Sequence, residues 1–182
     1  QDPSYLKTSL LARTRNAKSE REFWDRLALF YQRERLRIAA RDIWQIIDVD
    51  EVGEELTALA SAILEAFLDW VAHHISSNET LDKLAIIGLG KLGGSEPGYS
   101  SDWDVAFVYD SDDQADNKAL HAELVRVAEF ILKASGELRP RGANIEIDAR
   151  LRPEGKKGDL VNSISAAKKY LIESAMTWEQ QV

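Results

Sequence analysis

The stretch Gly88-Leu89-Gly90-Lys91-Leu92-Gly93-Gly94-Ser95-Glu96-Pro97-Gly98-Tyr99-Ser100-Ser101-Asp102-Trp103-Asp104-Val105-Ala106-Phe107-Val108-Tyr109-Asp110 decides how this chain folds. It follows Leu84-Ala85-Ile86-Ile87, a short apolar run ending in glycine that predicts a buried strand. Trp103 to Tyr109 predicts a second strand, with Gly88 to Tyr99 as the loop between them. On a strand, residues two apart share a face, so Asp102 and Asp104 present their carboxylates together while Trp103 and Val105 point the other way. Two carboxylates crowded at the mouth of an apolar strand repel each other and lose hydration, which is costly unless a cation sits between them. Hard oxygen ligands select Mg2+ or Mn2+. A solvated acidic pair is the plain alternative, and the tripeptide alone does not choose.

The neighbours on either side add to it. Glycines at 88, 90, 93 and 94 leave backbone N–H groups open to phosphate oxygens, because no Cβ stands in the way. Downstream, Ile145 to Leu151 alternates strictly and predicts a third strand. Its polar face carries Glu146, Asp148 and Arg150; its apolar face carries Ile145, Ile147, Ala149 and Leu151. If this strand lies beside the second, Asp148 completes a three-carboxylate cluster, with Arg150 and Arg152 along the same edge. Arginine forks suit polyphosphate. Three acids, a glycine loop and two arginines are the parts of two-metal nucleotidyl transfer. The bland reading of Asp148 is an ion pair with Arg150 or Arg152.

Gly88 to Gly93 is also a literal G-x-G-x-x-G after a strand, with Asp110 twenty residues past Gly90, where a dinucleotide fold places its ribose acid. That motif must open a crossover helix of about a dozen residues, and the next strand begins too soon to allow one. A Walker loop fails because no Gly-Lys-Ser/Thr occurs. His73 and His74 are adjacent on a predicted helix and His121 is distant, so no zinc set can be read from spacing. Arg33, Arg35, Arg37 and Arg41, interleaved with Leu36 and Ile38, read as an amphipathic helix before they read as a docking face.

Further out, the N-terminal half is helical. Phe23, Leu27, Phe30, Ile38, Ile43, Ile46 and Ile47 recur at helix-like intervals. Asp48 with Glu51 resembles a capping box, and Val52, Leu56, Leu59, Ile63, Phe67 and Trp70 then mark one buried helix face. Leu120, Leu124, Val127 and Ile131 mark a later helix ending near Ser135-Gly136, and Ser163 to Trp178 a closing one. The fold expected is α+β: a helical hairpin packed on a small sheet that carries the site. Three segments are expected, a helical segment over 1–80, a core over 81–162, and the start of a C-terminal helical segment over 163–182. The 182 residues contain no cysteine, so disulfides and thiol chemistry are excluded and a cytoplasmic setting is expected. The net charge of −8 argues against a nucleic-acid-binding surface. Residues 48–120 hold 16 of the 31 acidic groups and only 3 of the 23 basic ones. The central apolar run Leu84 to Leu89 is far too short to cross a bilayer, and no membrane partner is expected. The opening Gln1-Asp2-Pro3 suggests a piece of something longer.

Taken together, Gly88 to Asp110, Ile147 to Val161 (IDARLRPEGKKGDLV), the later Met176-Thr177-Trp178-Glu179 and the approach Arg33 to Asp42 resemble the glutamine synthetase adenylyltransferase family. The resemblance covers roughly residues 20–182. It implies a polymerase-β-like nucleotidyltransferase core, a small mixed sheet with flanking helices, in a longer enzyme with two such domains. One adds AMP from ATP to a tyrosine of glutamine synthetase and the other removes it by phosphorolysis, under control of the PII signal protein. The resemblance places catalytic and Mg2+-binding acids at Asp102, Asp104 and Asp148. It places nucleotide contacts at Gly88, Gly90, Lys91, Gly93, Gly94, Ser101, Arg150 and Arg152. Pro97 departs from the family, which commonly has Leu there. Gly98-Tyr99, Asp148-Ala149-Arg150 and Thr177-Trp178-Glu179 look more like the adenylylating half, with the adenylyl-removing half as the alternative and a non-catalytic interaction module further behind.

Overall fold

A computed structural model describes residues 3–110 and 117–175. Helix α1 spans Pro3–Thr14, α2 Glu20–Ile43 and α3 Val49–His74. Short α4, Asn78–Leu81, leads to strand β1, Leu84–Gly88, then the single turn α5, Gly90–Gly93, and strand β2, Trp103–Tyr109. Helix α6 covers Asn117–Leu138, followed by β3, Ile147–Asp148, β4, Val161–Ser163, and α7, Ile164–Glu173.

The α2–α3 hairpin forms where side-chain caps and an apolar stripe agree. The Ser19 hydroxyl accepts the Glu22 N–H at the start of α2. At α3 the box is complete: the Asp48 carboxylate accepts the Glu51 N–H at 2.9 Å, and the Glu51 carboxylate accepts the Asp48 N–H at 3.0 Å. Val52, Leu56, Leu59, Ile63, Phe67 and Trp70 are all buried, as their spacing predicts. By length and composition α3, unlike the central apolar run, could cross a bilayer. Half of its most apolar window is nonetheless buried inside the protein, in a core shared with α1 and α2.

At the hairpin tip the expectation fails. Ile43, Trp44, Ile46 and Val49 are 78%, 72%, 61% and 80% exposed, and only Ile47 turns inward. The reason is that α2 stops at Ile43 and Gln45 takes φ 54°, so the helical phase that would bury Ile43 and Ile46 is broken. Leu36 likewise faces outward, 71% exposed, while Ile38 is fully buried.

Strand β2 is the centre of the sheet. It pairs antiparallel with β1, from Leu84↔Tyr109 to Gly88↔Val105. This antiparallel pairing, with a single helical turn where a crossover would stand, removes the dinucleotide-fold reading. Because β1 takes one edge of Phe107 to Tyr109, β4 pairs parallel on the other, Phe107↔Val161 to Tyr109↔Ser163. Strand β3 pairs parallel with the start of β2, Trp103↔Ile147 and Asp104↔Asp148. The expected third strand is thus shorter than its alternation suggests: residues 149–160 leave the sheet and the chain rejoins it as β4, which has no periodic signal of its own.

Three further boundaries differ. Strand β1 is an edge strand with alternate residues exposed, Ile87 at 44%, because only β2 pairs with it. Helix α6 runs through Gly136 to Leu138 before Gly142 ends the following turn in the left-handed region. Helix α7 begins where the closing helix is expected, with the Ser163 hydroxyl capping it, whereas the expected end of that helix, with Met176, Thr177, Trp178 and Glu179, lies outside the described residues. The hairpin and α6 share an aromatic core, with Phe23 stacked on Trp70 at 4.6 Å and Trp24 stacked on Phe130 of α6 at 5.2 Å. Phe67 sits edge-on to Phe23, 6.3 Å between centroids, and is wholly buried. Phe67→Ala is expected to cost about 3–5 kcal/mol, read as a lowered midpoint in urea unfolding at an unchanged m-value.

Candidate functional site

Parallel pairing of β2 with β3 makes Asp104 and Asp148 register neighbours, separated along the chain by α6 but adjacent in the sheet. Trp103, Val105, Ile147 and Ala149 are buried, so the alternate residues face outward together. Asp102 is exposed just before β2 begins. Burial pushes the Asp104 carboxyl above its ordinary range, and the negative charges of Asp148 and Asp102 push it the same way, against a smaller pull from Arg150. Three acids therefore act on one another at this strand mouth.

The glycine turn lies against the same carboxylate. The Leu89 N–H donates to the Asp104 carbonyl oxygen at 2.9 Å, which folds the turn back over the start of β2. Gly90 has φ +52°, and a Cβ there would lie 3.2 Å from Asp104 Oδ2. Only glycine meets both demands without strain. Gly88 ends β1 and Gly90 to Gly93 form α5; the Gly94 N–H closes that turn onto the Gly90 carbonyl oxygen at 2.9 Å. Lys91 is exposed on the turn, while Leu92 anchors it in the core. The Ser101 hydroxyl accepts the Gly98 N–H at 2.9 Å, so its local work is to close the turn that delivers Asp102.

The two arginines divide. Arg150 donates through its backbone N–H to Asp148 Oδ1 at 2.8 Å, and its guanidinium pairs with Asp148 Oδ2. The guanidinium is 59% exposed against 12% for the carboxylate. Arg152 instead donates to the Ala149 carbonyl at 2.7 Å and reaches the Gly158 carbonyl at 3.4 Å, bracing the 149–160 loop from within. The ion-pair reading of Asp148 is thus realised through Arg150 and not through Arg152. With Asp148 engaged this way and Asp102 exposed, no group of three or more His, Asp and Glu side chains is gathered as a cation-ready cluster among the described residues. His73 and His74 donate through Nδ1–H to the Asp69 and Trp70 carbonyl oxygens in the last turn of α3.

Sequence reasoning passed over the residues that hold the loop from below. The Tyr99 hydroxyl donates to Asp42 Oδ2 at 3.0 Å, and Arg35 donates to the Tyr99 carbonyl at 3.0 Å. The signal was present in the stretch Arg33 to Asp42, but helical spacing cannot say what a charged face touches. Arg37 and Arg41 are ion-paired with Glu55 of α3, and Arg37 also with Glu34, so this part of the basic stretch is not a free docking face.

A mixed sheet whose central strand brings acidic residues against a glycine turn defines an α+β protein with an acidic, loop-capped strand mouth. The family model for glutamate-ammonia ligase adenylyltransferase matches residues 1–182, and the chain belongs to that family. It is 36% identical over 176 residues to a bifunctional glutamine synthetase adenylyltransferase/adenylyl-removing enzyme of Pasteurella multocida, covering 89% of this chain and 18% of the relative. Proteins of the same description from Thioalkalivibrio sulfidiphilus and Neisseria meningitidis serogroup A are 34% and 38% identical over 180 and 160 residues. These cover 88% and 86% of this chain and 18% and 17% of the relatives, so the chain spans less than a fifth of the length of the relatives it matches.

Gly90→Ala forces a side chain into the left-handed region at about 1–2 kcal/mol and presses on Asp104; urea unfolding should show that loss. The Tyr99 phenol is pushed up to about 12 from an ordinary 10.0, by burial first and then by its hydrogen bond to Asp42. The raised value favours the neutral phenol in the fold, so this contribution to stability is complete below pH 10.0 and is lost as pH rises through about 12. Ultraviolet titration of wild type minus Tyr99→Phe should show a tyrosinate component centred near pH 12.

Proposed function

We infer that this chain is a nucleotidyltransferase domain with a polymerase-β-like core, moving AMP from ATP to a tyrosyl hydroxyl of glutamine synthetase. The observation that carries the reading is the register pairing of Asp104 with Asp148 beneath the Gly90 turn. The relatives' description as glutamine synthetase adenylyltransferases supplies the acceptor.

Asp104 holds its proton more tightly than usual, through burial first and then through the negative charges of Asp148 and Asp102, both of which a nearby cation would offset. Carboxylate oxygens are the donors Mg2+ and Mn2+ prefer. The donor chemistry fits: although no three-carboxylate cluster is gathered among the described residues, Asp104 and its register neighbour Asp148, with Asp102 beside them, are the residues that would hold the ion. When bound, such an ion supplies charge neutralisation at the phosphates and eases loss of the acceptor's proton.

The chain's own groups do the rest. The tyrosyl oxygen forms a bond to the α-phosphorus of ATP as the bond from that phosphorus to the β-bridging oxygen breaks, and pyrophosphate leaves. The phenolic proton passes to the Asp148 carboxylate and on to solvent. Backbone N–H groups at the start of α5, which lack acceptors within the turn, face the phosphate oxygens together with Lys91. Arg150, exposed and tethered to Asp148, is the guanidinium best placed to meet the departing pyrophosphate. Arg152 contributes by keeping the 149–160 loop shaped. The setting is cytoplasmic, and control by the PII signal protein belongs to the longer enzyme.

Mass spectrometry of glutamine synthetase incubated with this chain, ATP and Mg2+ tests the reading. An AMP adduct on a tyrosine is expected. Loss of a pre-installed AMP with inorganic phosphate, releasing ADP, would assign the adenylyl-removing half instead. Asp104→Asn is expected to lower transfer by a factor on the order of 10²–10⁴, the scale of losing a positioned acid–base or charge-stabilising group, with an unchanged far-ultraviolet circular dichroism spectrum.

A further inference from the structure

The charged stretch of α2 has work that the transfer chemistry does not absorb. Arg35 and Asp42 are seven residues apart, two helical turns, and so share a face. Both reach Tyr99. Arg35 Nη2 donates to its carbonyl oxygen at 3.0 Å, and Asp42 Oδ2 accepts from its hydroxyl at 3.0 Å. The Arg35 guanidinium also lies 5.9 Å from the ring centroids of both Tyr99 and Tyr31. Tyr99 is therefore held at its main chain and at the far end of its ring by a single helix face.

The second arm of the hairpin meets the same loop. At Gly53 of α3 a Cβ would lie 2.5 Å from the Ser95 carbonyl oxygen and 3.1 Å from the Glu96 Cα, so the loop backbone rests directly on the helix. Contacts between the arms fix which residues arrive beneath the loop together. Arg37 and Arg41 on α2 both pair with Glu55 on α3, the first at 2.8 Å, and Glu34 is buried against Arg37 at 2.8 Å. From Tyr99 the path to the acids is short. The Gly98–Ser101 turn is closed by two hydrogen bonds, of 2.9 and 3.1 Å, and Asp102 is the next residue.

We propose that Tyr99, Arg35 and Asp42 form a positioning unit, through which the helical hairpin sets the 95–101 loop and hence the placement of Asp102 beside Asp104. None of the three touches substrate. The proposal rests on the transfer reading given above and deepens it, assigning a mechanical duty to a helical segment that otherwise looks like packing. Loosening the unit leaves the nucleotide its glycine turn and Lys91, but lets the acidic strand mouth wander, and misplacement on the scale of 1 Å at a distance from the chemistry is enough to lower a rate by up to about 10²-fold.

The test uses the full chain with glutamine synthetase and ATP, and compares Tyr99→Phe, Asp42→Ala, Asp42→Asn, the Tyr99→Phe/Asp42→Ala pair and Asp104→Asn. Tyr99→Phe and Asp42→Ala should each lower kcat by about 10-fold, the middle of that range, with KM for ATP changed less than about twofold. The double variant should be no slower than either single one, because both remove the same hydrogen bond. Asp42→Asn, which keeps an acceptor oxygen, should recover most of the rate. Wild-type turnover in Tyr99→Phe and Asp42→Ala, while Asp104→Asn is inactive, would overturn the positioning unit and leave the transfer reading standing. A loss carried wholly in KM, or one that vanishes when rates are scaled to the folded fraction in thermal melts, would overturn it as well. Full activity in Asp104→Asn would remove the transfer reading and the positioning unit together.

Discussion

Everything in this molecule turns on what β2 can pair with. One strand of seven residues, Trp103–Tyr109, accepts an antiparallel neighbour on one edge and two short parallel neighbours on the other. The antiparallel partner brings the glycine turn over the start of β2, through Leu89 N–H to the Asp104 carbonyl. The first parallel partner brings Asp148 level with Asp104. The second returns the chain to the sheet after the 149–160 excursion, so that the basic loop stands out from the same edge as the acids. Without the β2–β3 pairing the carboxylates have no common address.

This arrangement places charges where they are poorly tolerated. Asp104 is held between burial and two like charges, and Arg150 offsets part of that by pairing with Asp148 from the solvent side. An exposed guanidinium on a mostly buried carboxylate makes a weak and exchangeable counter-ion, because solvent competes for it continually. The helical hairpin enters the same account from beneath, since the loop that delivers Asp102 rests on Gly53 and is tied to Arg35 and Asp42. Packing and site are therefore one construction here, joined at the 95–101 loop.

The sequence was legible where a residue's neighbours in space are also its neighbours along the chain. The Asp48–Glu51 box, the Val52 to Trp70 stripe, β2 and the start of α7 at Ser163 each depend on contacts within a few residues, and each is found where spacing puts it. The alternation correctly separates buried from outward-facing side chains from Ile145 to Arg150, with Leu151 only half-buried, yet only two of these residues pair as a strand. Alternation reports which side faces the core; it does not report whether a partner's backbone is present. At the hairpin tip, Ile43 and Ile46 carry the helical rhythm past the point where the helix stops, and they end in water.

What the sequence determined by itself was local: the helices and their caps, the two faces of β2, and the kinds of residue available for phosphate and cation chemistry. Resemblance in the two central motifs added the family, which the comparisons bear out. Tertiary structure alone decided that Asp148 stands beside Asp104, that Arg150 and not Arg152 occupies it, and that Arg35 and Asp42 reach up to Tyr99. The physical reason is that these contacts join residues 44 to 64 positions apart, or depend on which of two arginines a loop happens to turn outward. Such choices are settled by strand pairing and by the docking of helix on loop, neither of which leaves a period in the chain.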